Sequence, residues 1–268
     1  MTSTTMVWRV VPPILRQSRR AHRMIERSLY VNKLSWMIVV SGFFEPLFYL
    51  FSIRIGFGSL IGGIDFDGRS VSYAEFVAPA LMASSAMNGA VYDSTMNVYF
   101  KLRHARLYDG VLATPMSSKD VAVGEIGWAL TRGTLYSIVF LGCLVSLGLT
   151  RSWAAVLALP ACLLLGAAFA SVGMAATTYM RSWEDFDWVQ TIVLPMFLFS
   201  ATFYPLSSYG SWGWIVQVSP LYHGVALVRA ACLGIATWEI VVHVAYLAAL
   251  TLVGLTIAAR RIDTLLGK

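Results

Sequence analysis

The sequence predicts an all-α polytopic membrane protein with six transmembrane helices. Of its 268 residues, 57% are hydrophobic and only 13% are charged, whereas soluble domains carry about 25% charged residues. The mean hydropathy is +0.67, and the apolar residues gather in runs of membrane-spanning length. A water-soluble core cannot hide that much apolar surface, so the helices are expected to face lipid.

Six apolar stretches match the roughly 20 residues that a helix needs to cross about 30 Å of hydrocarbon. They cover residues 34–53, 73–94, 121–149, 153–180, 188–205 and 240–259. The third and fourth stretches are long enough to tilt or to project from the bilayer. They divide the chain into an arm, residues 1–33, and a membrane domain, residues 34–268.

The Lys and Arg residues are unevenly distributed and predict the orientation. Seven lie in the first 33 residues, four lie between the second and third spans, and three follow the last span. The loops on the other side carry two, one and one. Because Lys and Arg favour the cytoplasmic side, both termini are expected there. This topology explains the net charge of +6 without nucleic acid, and the first span is expected to act as an uncleaved insertion signal.

The arm is expected to contain a basic amphipathic helix that ends near residue 30. Small and apolar residues recur at helical spacing on one face, namely Ile14, Ser18, Ala21, Ile25 and Leu29. Five arginines lie away from that face, namely Arg16, Arg19, Arg20, Arg23 and Arg27. Such a helix lies flat on the membrane surface. It is either an anchor to anionic lipid alone or also a brace for a cytosolic partner.

The loop between the second and third spans is polar and charged. Arg106 and Asp109 lie in a helical piece that leads to Pro115. The proline stops a following helix from extending backwards, and Ser117 and Ser118 are good caps for that helix. This layout is typical of a loop that folds into a short helix against a partner.

Residues 206–239 are too apolar for a free loop and too broken by Gly and Pro for a straight span. They include Trp212, Pro220, His223 and Arg229. Two short helices that dip into the outer leaflet would satisfy both observations, because backbone at that depth must be buried in protein or line a cavity. The alternative is an interfacial hairpin with a belt of aromatic residues.

The chain carries no sign of an ATP site or a metal site. It has no G-x-x-x-x-G-K-[ST] motif, so ATP would have to bind another subunit. The four histidines share no ligand spacing. The three cysteines lie in apolar stretches and are expected to be packing residues.

Charged and aromatic residues within the spans are the candidates for a substrate pathway. Asp93, Glu125 and Arg132 either line a pathway or pair between helices, and Glu45 is the better pathway candidate because it lies farther from either end. Phe44, Phe48, Phe199 and Phe203 belong to aromatic-rich spans. Their rings either stack on substrate or face lipid and pack.

Several of these segments together resemble the ABC-2 type exporter permeases, which are membrane subunits of ABC transporters. The main segment is LYDGVLATPMSSKDVAVGEIGWAL at residues 107–130. FVAPALMASSAMNGA at 76–90, PMFLFSATFYP at 195–205 and SPLYHGVALVR at 219–229 agree in order. The pattern is closest to the nodulation-factor (lipo-oligosaccharide) export permeases. The arm and the loop at 56–72 fit this pattern only loosely.

The resemblance implies a type V ABC exporter architecture in a bacterial cytoplasmic (inner) membrane. It implies a P-loop ABC subunit that binds ATP and Mg, a second permease copy or a homologous permease, and no cofactor on this chain. By position, residues 103–114 would be the coupling helix and residues 206–239 the re-entrant hairpin. The implied contacts with the ATPase are Arg103, Arg106, Leu107, Asp109, Leu112, Pro115, Glu184 and Asp185.

The function that this resemblance implies is ATP-driven export of an amphipathic molecule. Related permeases move glycolipids, lipo-oligosaccharides, polysaccharides or drugs, so the substrate is not carried over. The alternative is an ATP-independent secondary transporter or an intramembrane enzyme. Secondary carriers often contain inverted repeats, and the two halves of this chain share no convincing repeat.

Overall fold

The computed structural model describes residues 20–32, 44, 47–57, 62–66 and 68–266, and these are mostly helical. This agrees with the all-α membrane class that the sequence predicts. The helices are α1 (Ala21–Asn32), α2 (Leu47–Gly56), α3 (Tyr73–Tyr92), α4 (Leu107–Leu112), α5 (Ser118–Ser146), α6 (Ala158–Thr177), α7 (Asp185–Leu198), α8 (Gly213–Val218), α9 (Pro220–Leu233) and α10 (Glu239–Leu266).

Among the described residues, three helices are long and apolar enough to cross a membrane. They are Ser118–Ser146, Trp153–Thr177 and Glu239–Leu266, the second being α6 with the 3₁₀ turn that precedes it. They occupy the third, fourth and sixth expected spans. α3 lies in the second expected span, and α2 covers the end of the first. The total of six spans stays a prediction.

Local signals in the sequence set where these helices begin. Ser72 accepts a hydrogen bond from the Glu75 N–H while the Glu75 carboxylate accepts one from the Ser72 N–H, which starts α3. Ser117 and Asp120 form the same capping box before α5, so the expected cap at Ser117 is confirmed. Pro220 occupies the first turn of α9, where its missing N–H has no helical partner to lose.

α3 does not end at Tyr92 but continues in the same direction as looser helix. Two π-helical turns, Asp93–Asn97 and Phe100–His104, extend it beyond the expected span. The extended α3 runs between two ends of the bundle. We call the end near His104 the α4 end, and the end near Ser72, where a β-hairpin lies, the hairpin end.

A small β-hairpin, which the sequence does not predict, lies at the hairpin end. β1 (Ile64–Phe66) pairs antiparallel with β2 (Arg69–Val71), with Ile64 opposite Val71 and Phe66 opposite Arg69. Val71 is buried and joins the core. The hairpin thus fixes the chain just before α3 begins.

The core of the bundle lies around α6, which packs against α3, α5, α9 and α10. α6 and α10 approach each other closely at Gly254. A Cβ placed on Gly254 would lie 2.8 Å from the backbone nitrogen of Val172. Glycine at this position lets the two long helices touch backbone to backbone, as small residues do in membrane bundles.

α7 is shorter and more exposed than the expected fifth span, residues 188–205. It ends at Leu198, because Phe199 leaves helical geometry (φ −109°, ψ 26°) and Ala201 has a left-handed backbone (φ 54°). Large apolar side chains along α7 are exposed, namely Trp188, Ile192, Leu194 and Leu198. In this single chain, α7 therefore presents an apolar surface without cover.

Candidate functional site

The expected coupling helix is shorter than residues 103–114. Its α-helical part is only Leu107–Leu112, because Arg106 adopts a left-handed backbone (φ 43°, ψ 34°) that separates α4 from the end of α3. Such a conformation is unfavourable by about 1 kcal/mol for a residue with a Cβ. Arg103 belongs to the preceding π turn, and Pro115 lies between α4 and α5. The chain therefore turns sharply before and after α4.

The residues expected to contact an ATPase divide into an exposed set and a half-buried set. Exposed positions are Arg103, Arg106, Asp109, Pro115 and Glu184. Leu107 and Leu112 are half-buried and pack against the core of the bundle. The polar side chains of α4 thus point outward while its leucines hold the helix to the protein.

Tyr108 is the residue of α4 that the sequence analysis missed. It is fully buried, and its hydroxyl has no hydrogen-bond partner among the described residues. Burial raises the pKa of Tyr108 well above its usual value, and the charge of Glu125 raises it further. The sequence does show an aromatic residue between Leu107 and Asp109, and this could have indicated a buried anchor. Tyr108 anchors α4 beside Glu125 of α5.

Two ion pairs connect the extended end of α3 to α5. Lys101 Nζ lies 2.6 Å from Glu125 Oε2, and Arg132 Nη1 lies 2.8 Å from Asp93 Oδ1. Asn97 donates a further hydrogen bond to Asp93 over 2.6 Å. Both carboxylates are buried. Of the two alternatives for Asp93 and Glu125, the structure shows pairing between helices.

α1 packs on the first turns of α5. A Cβ on Gly124 would lie 2.5 Å from Met24 Cβ, so glycine is what lets the two helices approach this closely. The Arg20 N–H donates to Asp120 over 2.9 Å, and the Arg20 guanidinium donates to the Pro115 carbonyl. The arm is thereby joined both to α5 and to the segment that follows α4.

The apolar face predicted for the arm helix is confirmed at Ala21 and at the half-buried Ile25 but not at Leu29. Ala21, Met24 and Ser28 are buried, whereas Leu29 of the expected apolar face is 51% exposed. α1 packs into the space that Gly124 and Gly127 leave on α5. The sequence of the arm alone gives no indication of this space. Arg23 and Arg27 are exposed. Arg16 and Arg19 lie outside the described residues.

The loop before α7 meets the end of α3. The Tyr99 hydroxyl donates to the Arg181 carbonyl over 3.1 Å, and Arg103 donates to the Met180 carbonyl over 3.2 Å. The ring centroids of His104 and Trp183 lie 5.4 Å apart. The two polar loops of the predicted cytoplasmic side therefore form one continuous surface at the α4 end.

Asp185 shapes this loop. Its carboxylate accepts hydrogen bonds from the N–H groups of Arg181 and Ser182 over 2.7 Å and 3.1 Å. These bonds, that from Arg181 first, lower the pKa of Asp185. Asp185 was expected to contact the ATPase, and the structure shows that it also holds the backbone of its own loop.

One pair of short helices lies where the re-entrant hairpin is expected. α8 and α9 meet at Ser219, and the 3₁₀ segment Leu206–Trp212 precedes them. Trp212 is exposed, whereas His223 and Arg229 are buried. The depth of this pair in a membrane stays a prediction.

Arg229 joins three parts of the hairpin end. Its Nε donates to the Phe76 carbonyl over 3.0 Å, and its Nη2 donates to the Ala201 carbonyl over 2.9 Å. The guanidinium carbon lies 3.8 Å from the centroid of the Phe76 ring. A buried Arg satisfied by carbonyls and an aromatic face holds α9 to α3 and to the break after α7.

The candidate pathway aromatics pack within their own segments. The rings of Phe44 and Phe48 stack with centroids 6.0 Å apart, and Phe203 contacts Phe197 edge-on at 5.3 Å. Phe44, Phe48 and Phe199 are exposed. Glu45 lies outside the described residues. A pathway through these residues stays a prediction.

Comparison with known proteins decides the family. The family model described as "ABC-2 type transporter" matches residues 21–233. The chain belongs to the ABC-2 type transporter family. The match runs from α1 through α9 and therefore includes α4, both ion pairs and Arg229. Its family is one of transporter permeases rather than enzymes, so this ABC-2 protein is a membrane permease.

Individual relatives of this ABC-2 permease cover most of its length. Nodulation protein J of Rhizobium leguminosarum bv. viciae is 30% identical over 223 residues, 81% of this chain and 85% of the relative. Nodulation protein J of Rhizobium meliloti (strain 1021) is 28% identical over 80% of both chains. The inner membrane transport permease YadH of Escherichia coli (strain K12) is 26% identical over 67% of this chain and 70% of its own.

Proposed function

We propose that this permease is the membrane subunit of an ATP-driven exporter of an amphipathic molecule, working with a separate P-loop ATPase. The α4 end supports the proposal most directly. It presents Asp109 on a short helix that is anchored through the buried Tyr108, and Arg106 at the turn just before this helix. A partner that pushes on α4 would act on α5 through Tyr108 and on α3 through the pair of Lys101 and Glu125.

The proposed partner carries the ATP and Mg that this chain has no motif to hold. The proposed docking surface is the exposed face of α4 together with Glu184 on the neighbouring loop. Both signs of charge are present there, so charge reversal would create repulsion against a complementary partner. The distribution of Lys and Arg supports a cytosolic position for this end, and the family resemblance supports the inner membrane of a bacterium as the location.

A second permease, identical or homologous, is the further partner that we propose. The apolar side chains of α7 lie uncovered in the single chain. They would face either lipid or a second copy across the membrane. A glycolipid, a lipo-oligosaccharide or a hydrophobic drug is the substrate class, since the spans offer many aromatic and apolar side chains and few charges.

Co-purification from native membranes in mild detergent tests the ATPase partnership. We expect a P-loop ATPase to accompany the permease in stoichiometric amount, and its ATPase activity to depend on the permease. The double variant Arg106→Glu, Asp109→Lys should lose the ATPase and transport while still inserting in the membrane. Arg69→Glu, an exposed reversal at the hairpin end, is the matched control and should retain both.

Two results would contradict the proposal. One is normal transport by the Arg106→Glu, Asp109→Lys variant, which would remove α4 from the coupling role. The other is a wild-type chain that purifies alone in a detergent that preserves comparable complexes. That result would favour an ATP-independent carrier.

A further inference from the structure

Three polar contacts fasten the turn between α8 and α9. The Tyr246 hydroxyl donates to the Val218 carbonyl over 2.8 Å, and the Ser200 and Ser219 hydroxyl oxygens lie 2.6 Å apart. The third contact joins α9 to α10, where His223 Nδ1 lies 2.8 Å from His243 Nδ1. The first two are ordinary neutral hydrogen bonds. The third joins two titratable rings.

Both imidazoles are enclosed by protein. His223 is 6% exposed and His243 is 8% exposed. The His223 ring stacks on Tyr246 with centroids 3.9 Å apart, and Tyr222 meets both imidazoles edge-on. His223 Nε2 is buried and has no hydrogen-bond partner among the described residues. The two imidazoles are thus held edge to face, with ring planes at 62°, and have little access to water.

The number of protons that this pair accepts is limited by its geometry. Two nitrogens 2.8 Å apart hold one hydrogen between them, so one Nδ1 donates and the other accepts with its lone pair. A first additional proton can go to Nε2 of the donating ring and leave the bond intact. A second must go to the accepting Nδ1, and two N–H groups would then point at each other. Full protonation therefore requires the rings to separate.

The surroundings offer little to offset added positive charge. Within the described residues, neither imidazole lies within ion-pair distance of a carboxylate. Glu239 precedes His243 by one helical turn, and the cation Arg229 lies farther along α9. The other ionisable groups on the parts of α3, α6, α9 and α10 that pack near α9 are Tyr73, Glu75, Cys162, Tyr222, Cys232 and Tyr246. Of these, Glu75 is already paired with Arg151.

A proton fits this site better than a metal ion. The part of the chain that the structure describes contains no group of three or more His, Cys, Asp or Glu side chains that could hold a metal. At a usual Zn–N distance of about 2.0–2.1 Å, two nitrogens 2.8 Å apart would subtend an angle far below tetrahedral. The geometry is that of a hydrogen bond.

We propose that His223 and His243 form a proton-binding site that joins α9 to α10 and releases this contact when both rings are protonated. The site goes beyond the proposed transport function and does not depend on it. The joined state resists the last proton, so it binds fewer protons than the separated state, and acid favours separation. A free imidazole has a pKa of about 6.5. For each proton that the separated state binds beyond those of the joined state, lowering the pH from neutral to about 5.5 raises the ratio of separated to joined molecules about tenfold.

Pulsed EPR on the full chain in nanodiscs tests the proposal. Nitroxide labels on Gln217→Cys and Val241→Cys, two exposed positions, report the distance between the α8 end and α10. Cys143→Ser removes the half-buried thiol, and labelling is completed before the pH is changed. Between about pH 7.5 and about pH 5.5, we expect the longer-distance population to grow about tenfold relative to the shorter one.

Matched variants separate this pair from other titrating groups. His104→Gln changes an exposed histidine at the α4 end and should keep the full response. His223→Gln and His243→Gln should each abolish it. Identical distance distributions at both pH values, or a response that persists in His223→Gln, would overturn the proposal.

A second measurement needs no substitution in the pair. The chain has four histidines, so ring-¹⁵N NMR of the histidine-labelled protein is tractable, with His22→Gln and His104→Gln for assignment. We expect two ring nitrogens that share one hydrogen bond near neutral pH and lose it together in acid. Four independent, ordinary titrations would contradict the assignment.

Discussion

The Lys101 ammonium lies 2.6 Å from the Glu125 carboxylate, and this pair joins the far end of α3 to α5 directly beside the buried Tyr108. Glu125 is buried, whereas the Lys101 side chain is about one-fifth exposed, at 21%. The pair therefore stabilises the permease where the proposed push from the ATPase would arrive.

Removing Lys101 should destabilise the protein more than its own contacts suggest. Lys101→Met leaves Glu125 buried without its partner, and a lost partner of a buried pair costs about 3–5 kcal/mol. We expect the low end, about 3 kcal/mol, because Lys101 is partly exposed. Thermal unfolding in detergent measures the change, and Lys101→Met with Glu125→Gln should recover part of it.

Arg23→Met is the control for that variant. Arg23 and Glu26 form an exposed pair over 3.2 Å, and exposed pairs contribute about 0–1 kcal/mol. A loss of stability in Lys101→Met no greater than in Arg23→Met would show that Glu125 does not depend on Lys101.

Gly124→Ala should detach α1 from α5. The added Cβ would lie 2.5 Å from Met24 Cβ and 3.0 Å from the Ala21 carbonyl oxygen, and the second neighbour is backbone that cannot rotate away. We expect faster limited proteolysis within α1 and faster hydrogen exchange of its amides. Gly133→Ala lies on the same helix with nothing within 4 Å and should leave α1 protected. Unchanged protection in Gly124→Ala would mean that α1 shifts without cost.

Two substitutions of Tyr108 separate the contribution of its ring to stability from that of its hydroxyl. Tyr108→Phe removes a buried hydroxyl that has no partner among the described residues, so stability should be unchanged or rise slightly. Tyr108→Ala removes the whole ring and should cost about 3–5 kcal/mol. Chemical or thermal unfolding measures both. A large loss in Tyr108→Phe would reveal a hydrogen bond to Glu125 that forms in solution.

The loop before α7 should loosen in acid through Asp185. Its folded-state pKa is lowered, so its stabilising bonds are present above the unfolded pKa of about 3.9 and are lost as the pH falls through the folded value. Hydrogen exchange of the Arg181 and Ser182 amides, corrected for the intrinsic pH dependence, should rise there. Asp185→Asn should exchange faster than wild type at neutral pH and lose this difference in acid, whereas Glu184→Gln should behave as wild type. Protection that is unaffected in Asp185→Asn would contradict the assignment.

The sequence predicts well what local chemistry determines. The cap at Ser117, the helical spans that became α5, α6 and α10, and the tendency of Asp93 and Glu125 to pair all follow from neighbouring residues and from the cost of charge in lipid. Helix length and apolar content were sufficient for the fold class, and several segments together were sufficient for the family.

What the sequence could not reveal depends on distant parts of the chain. The phase of α1 is set by Gly124, which lies about a hundred positions away. Arg106 adopts a left-handed backbone, although Gly and Asn are the residues that usually indicate this conformation. The hydrogen bond from Arg229 to the Phe76 carbonyl joins residues that are 153 positions apart in the sequence. The contact of His223 with His243 depends on how α9 and α10 are aligned against each other.

The continuation of α3 through π turns to His104 has a mechanical meaning. From Tyr73 to His104 the backbone is continuously helical over a contour of roughly 45–50 Å at about 1.5 Å per residue, longer than the hydrocarbon thickness of about 30 Å. It carries Glu75, bound to Arg151, at one tip and the aromatic contact with Trp183 at the other. A push at the proposed ATPase surface would therefore meet the same continuous backbone whose other end is bound to Arg151 at the hairpin end.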